Sequence, residues 1–251
     1  MSGHSKWSTI KHKKATTDAK RGRLFTRLIR EITVSARLGG RDQSANPRLR
    51  SAIQEAKGSN VPGDTIERAI KKGIGELGGD IVEEVFYEGY APGGVAVLVE
   101  AFTDNRNRTA SEVRHLFSRH GGNLGEAGCV HWMFSKRGYF AFNLKSMSEE
   151  DFMELAVEVE AEDFSNDASH YEMFTSMESY ASVVDDLVKR GIDLEIKQLS
   201  MVPTSYVEVE EEGLPKVLRL LEALEDLDDV QHVWSNFDAD DEVLARASEN
   251  I

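Results

Sequence analysis

Ten cationic side chains crowd the first 37 residues of this chain: Lys6, Lys11, Lys13, Lys14, Lys20, Arg21, Arg23, Arg27, Arg30 and Arg37. Lysine and arginine at such density neutralise phosphates and release the counterions condensed on nucleic acids. A flexible arm lets lysines track a groove, while a helix holds arginines in a fixed row. Trp7 lies inside this set and has two readings: stacking on an exposed base, or anchoring the arm by packing. Further along, Thr103-Asp-Asn-Arg-Asn-Arg-Thr109 places Arg106 and Arg108 at the start of an expected helix, where backbone N–H groups favour anions. Asp104 or Asn107 would cap that helix. The two arginines either make a second phosphate contact or pair with local carboxylates. No base-reading code is recognisable, so contact with the sugar-phosphate backbone is what these residues predict.

Other chemistries find less support. Cys129 and His131 share a face of an expected strand, but no third group orients them as a nucleophile and base. His4 and His12 lack cysteine or carboxylate partners at zinc spacing. The acidic runs Glu158–Asp167 and Glu222–Asp229 read as solvated faces rather than cation sites. The string Gly73-Ile-Gly-Glu-Leu-Gly78 follows a helix and precedes a strand, the reverse of a dinucleotide-binding turn. The glycine loops at 89–94 and 121–128 read as hairpin and turn chemistry. The expectation is a protein that is not an enzyme, with no metal and no cofactor.

The elements that must position the cations follow from charge and periodicity. The chain has 251 residues and a formal net charge of −14. Residues 1–80 hold 17 Lys and Arg against 8 Asp and Glu, a net of +9; the remainder hold 13 against 36, a net of −23. A basic front on an acidic body is the pattern of a polyanion-binding arm. The acidic remainder would repel nonspecific wrapping by nucleic acid and offer a surface to a basic protein partner. The longest apolar stretch, Val95–Val99, is far too short to span a bilayer, and the N-terminus has no secretory h-region. Residues 1–17 carry lysine but no acid, as a mitochondrial presequence would, yet their charge runs straight into a patterned helix. With one cysteine and no internal disulfide, a cytoplasmic location is expected.

Residues 1–18 form the arm. A helix is expected from about Ala19 to Leu38, stopped by Gly39-Gly40. At 100° per residue, Leu24, Phe25, Leu28, Ile29, Ile32 and Ala36 share a core face, while Arg23, Arg27, Arg30 and Arg37 form a stripe open to solvent or phosphate. A second helix follows Asn46 with Pro47 in its first turn, and a third starts at a capping-box-like Asp64-Thr-Ile-Glu67. Together they make a three-helix bundle ending near residue 80. Beyond it, strands are expected at 83–87, 95–102, 130–134 and 138–142, with a helix at 109–120. Residues 138–200 spell β-α-β-β-α-β, the split ferredoxin-like unit. The flanking β-β-α-β and the later strand 205–209, helix 213–224 and strand 230–235 make a second α+β unit. The fold class is therefore α+β: an N-terminal three-helix bundle plus two interleaved ferredoxin-like α/β domains. The expected division is 1–80, 81–135 with 201–240, and an inserted 136–200.

Several motifs are long and distinctive: Met1-Ser-Gly-His-Ser-Lys-Trp-Ser8, Lys11-His-Lys-Lys14, Glu88-Gly-Tyr-Ala-Pro-Gly-Gly94, Thr103–Thr109, and Gly121-Gly-Asn-Leu-Gly125 leading to Trp132-Met-Phe134. In this order, over nearly the whole chain, they closely resemble the YebC/PmpR family of probable transcriptional regulatory proteins. The same family includes the mitochondrial translational activator of cytochrome oxidase. The resemblance implies a three-domain, cytoplasmic, DNA-binding transcriptional regulator, with some members acting on the ribosome, where the same cations would contact ribosomal RNA. One position departs: Cys129 stands where a small residue such as serine is the expectation, which leaves the thiol without an implied role.

Overall fold

A computed structural model describes residues 18–78, 81–143, 147–166 and 170–249, with side chains from residue 22 to 247 apart from Asp241. The chain divides into two compact units, one spanning Trp132–Tyr206 and the other combining the chain before it with Val207 onward.

In the larger unit the helices are α1 (Asp18–Gly39), α2 (Pro47–Gly58) and α3 (Gly63–Gly73). Leu28, Ile32 and Ala36 of α1 bury against Leu49, Ala52, Ile53 and Ala56 of α2 and Ile66, Ala69 and Ile70 of α3. Phe25 and Ile29 flank this core, but Leu24 is 42% exposed, so the apolar face is narrower than expected. Asn46 locks the first turn between helices. Its side chain accepts from the Leu49 N–H and donates to the Ser35 and Gly40 carbonyls at 2.8 and 2.9 Å. The capping box expected for α3 does not form, because the helix starts earlier, at Gly63, with Pro62 in the cap position and no side-chain cap. Gly73 allows α3 to press on α1: a Cβ there would run into the Thr33 carbonyl and Ala36.

The sheet beneath the bundle contains β1 (Glu83–Tyr90), β2 (Ala96–Thr103), β3 (Asn123–Leu124) and β9 (Val230–Ser235) in the order β3-β1-β2-β9, antiparallel throughout. Strand β2 is buried on both faces, as its nearly continuous apolar run requires. Val97, Val99 and Ala101 pack with α4 (Arg106–Arg119) and α7 (Leu214–Glu225). Phe102 points the other way, into a cluster with Val34 of α1 and Val82. The segment expected as a strand at 205–209 does not join this sheet. Only β8 (Val207–Glu208) forms, pairing in parallel with β10 (Phe237–Asp238), and α8 (Asp241–Glu249) follows.

The smaller unit runs β4 (Phe134–Asn143), α5 (Glu149–Glu158), β5 (Asp163–Asn166), β6 (His170–Thr175), α6 (Tyr180–Lys189) and β7 (Ile196–Pro203). Its antiparallel order, β5-β6-β4-β7, is that of the split ferredoxin-like unit. The two strands expected at 130–134 and 138–142 are instead a single-turn 3-10 helix at His131–Met133 followed by one long strand. Gly138 reads as a break in sequence but lies inside β4, where a Cβ would collide with Thr175 and Tyr180.

Candidate nucleic-acid interface

Of the basic set, Lys6, Trp7, Lys11, Lys13 and Lys14 lie outside the described residues, and Lys20 and Arg21 fall on the first turn of α1. Of the four arginines further along α1, Arg23, Arg27 and Arg30 are half-buried rather than open to solvent as the sequence suggested, while Arg37 stays exposed. Arg23 pairs with Asp226 at 2.7 Å. Arg27 donates to the Glu225 carbonyl and Arg30 to the Asp228 carbonyl, and Arg30 also pairs with Asp229 at 2.8 Å. Arg37 donates to the Val82 carbonyl at 2.8 Å. The row thus closes the C-terminal end of α7. That end favours cations, because its last carbonyls carry the negative pole of the helix dipole. The last turn of α7 contains no basic residue of its own. Burial is the largest influence on Arg27 and lowers its pKa, with the charge of Arg23 acting in the same direction.

Asp229 is the hub of this junction. It is 4% exposed, accepts from Thr109 and Arg108 at 2.6 Å each and from Thr103 at 3.1 Å, and faces Arg30. Burial acts to raise its pKa, but the Thr109 and Arg108 hydrogen bonds and the charges of Arg30 and Arg108 outweigh it and hold the carboxyl below its ordinary value. The loop before α4 belongs to the same network. Asn105, rather than Asp104 or Asn107, caps the helix by accepting from the Arg108 N–H. Arg106 pairs with Glu83 at 2.6 Å, and Arg108 also reaches Asp104 at 3.1 Å. Of the two readings of this motif, the geometry matches the capped turn with internally paired arginines.

A second junction lies on the bundle face of the sheet, where several carboxylates share one cation. Arg48 of α2 lies 2.7 Å from Glu31, 3.0 Å from Glu84 and 4.0 Å from Glu100, and sits over the Phe102 ring. Burial, followed by Glu84 and Glu31, pushes Glu100 up to about 8, against the weaker pull of Arg48. His232, stacked on Trp234, approaches Glu100 at 4.0 Å.

The remaining candidates take structural places. Glu88 in β1 accepts from the backbone N–H groups of Gly128, Val130 and His131 at 2.6, 2.8 and 2.7 Å, tying down the glycine loop. Burial works to raise its pKa, and these three donors more than offset it, leaving the carboxyl lowered. Cys129 sits in this loop, and burial and then Glu88 raise its thiol pKa. Among the described residues, no group of three or more His, Cys, Asp or Glu side chains is placed to hold a metal ion. No described helix is long and apolar enough to cross a membrane.

The sequence reading missed the partners of the arginine row. The run Glu222–Asp229 is not a solvated face, since Glu225, Asp226, Asp228 and Asp229 receive α1. A signal for this exists in the sequence: acidic residues at the C-terminal end of a helix oppose its dipole and call for cations from elsewhere.

A basic helical bundle docked on an α+β body that carries an inserted ferredoxin-like unit defines the class. Two family descriptions match: "TACO1/YebC protein N-terminal domain" over residues 5–76 and "TACO1/YebC second and third domain" over residues 82–237. The chain belongs to the TACO1/YebC family. A probable transcriptional regulatory protein of Syntrophobacter fumaroxidans is 55% identical over 247 residues, covering 98% of this chain and 99% of that one. A protein of the same description from Aquifex aeolicus is 53% identical over 247 residues, with 98% and 99% covered. The crystal structure of a conserved hypothetical protein from Aquifex aeolicus superposes with a TM-score of 0.85 at 54% identity, covering 94% of this chain and 97% of that one.

Proposed function

We propose that this protein is a cytoplasmic, non-enzymatic transcriptional regulator that binds nucleic acid, DNA in the first instance, through the lysines of its N-terminal arm. One observation carries the reading. Arg23, Arg27, Arg30 and Arg37 of α1 and the arginines of the 103–109 loop have partners within the protein, whereas residues 1–20 hold five lysines against a single acid, Asp18. Lys6, Lys11, Lys13, Lys14 and Lys20, with Arg21, are then the phosphate contacts, and Trp7 is a stacking platform beside them. Arg23, Arg27, Arg30 and Arg37 have a different part: they hold the bundle on the body, so that the arm leaves from a fixed point. Arg106 and Arg108 brace the same junction. The family description of the relatives as transcriptional regulators is consistent with this assignment.

The test is fluorescence anisotropy on the full chain with a labelled 30-base-pair duplex and a 30-nucleotide RNA. Replacing Lys11, Lys13 and Lys14 with Ala is expected to weaken binding by about tenfold or more and to flatten the dependence of log K on log salt by about three units. Unchanged affinity would overturn the assignment. Preference for the RNA over the duplex would move the function from transcription to translation while keeping the same contacts.

A further inference from the structure

Beyond residue 80, acidic residues outnumber basic ones by 36 to 13, so an arginine there has carboxylates in excess to pair with. Most do pair. Yet among the described residues Arg114 and Arg119 of α4 and Arg219, in the middle of α7, make no ion pair or side-chain hydrogen bond, and all three are exposed; Arg119, at the end of α4, and Arg219 are the two that share His120 as a neighbour. Lys216 and His115 are exposed and likewise unpaired, three residues before Arg219 and four before Arg119, which places each beside its arginine on the helix surface.

The two helices lie side by side over the sheet, with Val113 and Phe117 of α4 in one core with Val217, Leu220 and Leu221 of α7. They run antiparallel, because Arg108 and Thr109 at the start of α4 meet Asp229 just past the end of α7. Arg119, Arg219, Lys216 and His115 therefore gather in the half of this layer away from Asp229, with Glu112 and Glu222 one turn from His115 and Arg219 on the Asp229 side and Glu210 and Glu212 just ahead of α7. Glu211, which precedes α7, is taken by Arg246 at 3.3 Å. His120 registers the gathering: burial first, then Arg119 and Arg219, lower its pKa. Same-sign neighbours repel one another, and a polyanion relieves that repulsion.

The position of the patch relative to Arg23 of α1 points to the occupant. Arg23, near the root of the arm, pairs with Asp226, seven residues beyond Arg219 on the same helix and its cap. At about 1.5 Å per residue that is about 10 Å, the length of about three nucleotides of a B-form strand.

We propose that the outer face of the α4–α7 layer, centred on Arg119 and Arg219 with Lys216 and His115 beside them, is a second phosphate-contacting surface. It takes the same nucleic-acid strand as the N-terminal lysines. This rests on the nucleic-acid reading above and adds to it a surface that lies in the acidic part of the chain.

Arg119→Ala/Arg219→Ala in the full chain is expected to raise Kd for the labelled duplex or RNA about tenfold. It should also reduce the salt slope by about two units, with an unchanged thermal midpoint. Arg119→Lys/Arg219→Lys should restore most of the affinity, since a point charge suffices for a phosphate. If the alanine pair leaves Kd and slope as they were while deleting residues 1–20 abolishes binding, this surface is ruled out and the nucleic-acid reading stands. If the intact chain shows no salt-dependent binding to either probe, both are overturned. Equal competition by poly-L-glutamate at matched charge would reassign the surface to an acidic protein.

Discussion

Arg23, Arg27 and Arg30 on α1 and Arg119 and Arg219 on α4 and α7 are the same side chain in opposite circumstances. The first group belongs to the basic third of the sequence and is consumed by the acidic body, capping α7 and pairing with Asp226 and Asp229. The second belongs to the acidic part and stands on the surface with no ion pair among the described residues. Charge density along a sequence therefore does not measure charge available to a ligand. An arginine row close to an anionic helix end is drawn into the fold, because removing both from water is favourable only when they meet in good geometry. Arg48 is an intermediate case: it is engaged by Glu31 and Glu84 while a third carboxylate, Glu100, presses on the same cation.

This contrast can be broken experimentally, and the largest effect is expected at its anchor. Asp229→Ala leaves Arg30 and Arg108 without their shared carboxylate and Thr103 and Thr109 without an acceptor, and should cost about 3 kcal/mol in urea unfolding. The wild-type contribution has a defined pH sense. Because the folded pKa is lowered, the stabilisation is present above the unfolded value and is lost as pH falls through the folded one. A stability loss below about 0.5 kcal/mol would show that the row is decoration rather than docking.

At the second junction the sign reverses. The Glu100 pKa is raised to about 8, so its proton is held in the folded chain after the unfolded chain has released it. Stability is then greatest below the unfolded value and declines as pH rises from about 4.5 through about 8. Glu100→Gln supplies a neutral side chain that still donates, and should stabilise the protein by about 2 kcal/mol at pH 8 while flattening the pH dependence of Tm. A steeper decline in the variant would contradict the account of Arg48 as an overcommitted cation.

Smaller effects sharpen the edges of the comparison. Arg23 and Asp226 are a partly exposed pair, so Arg23→Ala should cost about 0.5–1 kcal/mol, and less at high salt. Arg219→Ala should change unfolding stability by no more than about 0.5 kcal/mol, because Arg219 makes no ion pair among the described residues. A cost at Arg219 equal to that at Arg23 would erase the distinction between the two groups.

Much of the fold was legible because it is written in local pattern. The bundle core from Leu28 to Ile70 follows a 3.6-residue period, the Val230–Ser235 strand appears with the bounds expected, and the β-α-β-β-α-β order survives in the smaller unit. Misreadings came where local signals conflict with packing. Gly138 reads as the start of a strand and instead lies close-packed within a longer one; Asp64-Thr-Ile-Glu67 looks like a capping box, but the helix starts earlier, after Pro62.

The sequence by itself determined that this chain has a basic front and an acidic body, where most of its helices and strands fall, and which family it belongs with. Those properties reside in composition, periodicity and contiguous motifs. Tertiary structure alone decided which cations are spent. Arg30 and Asp229 are far apart in the chain yet form an ion pair at 2.8 Å, whereas Arg119 and Arg219 make no ion pair among the described residues. Coulomb energies depend on distance in space and on exclusion of water, and neither is encoded in the spacing of residues along the chain.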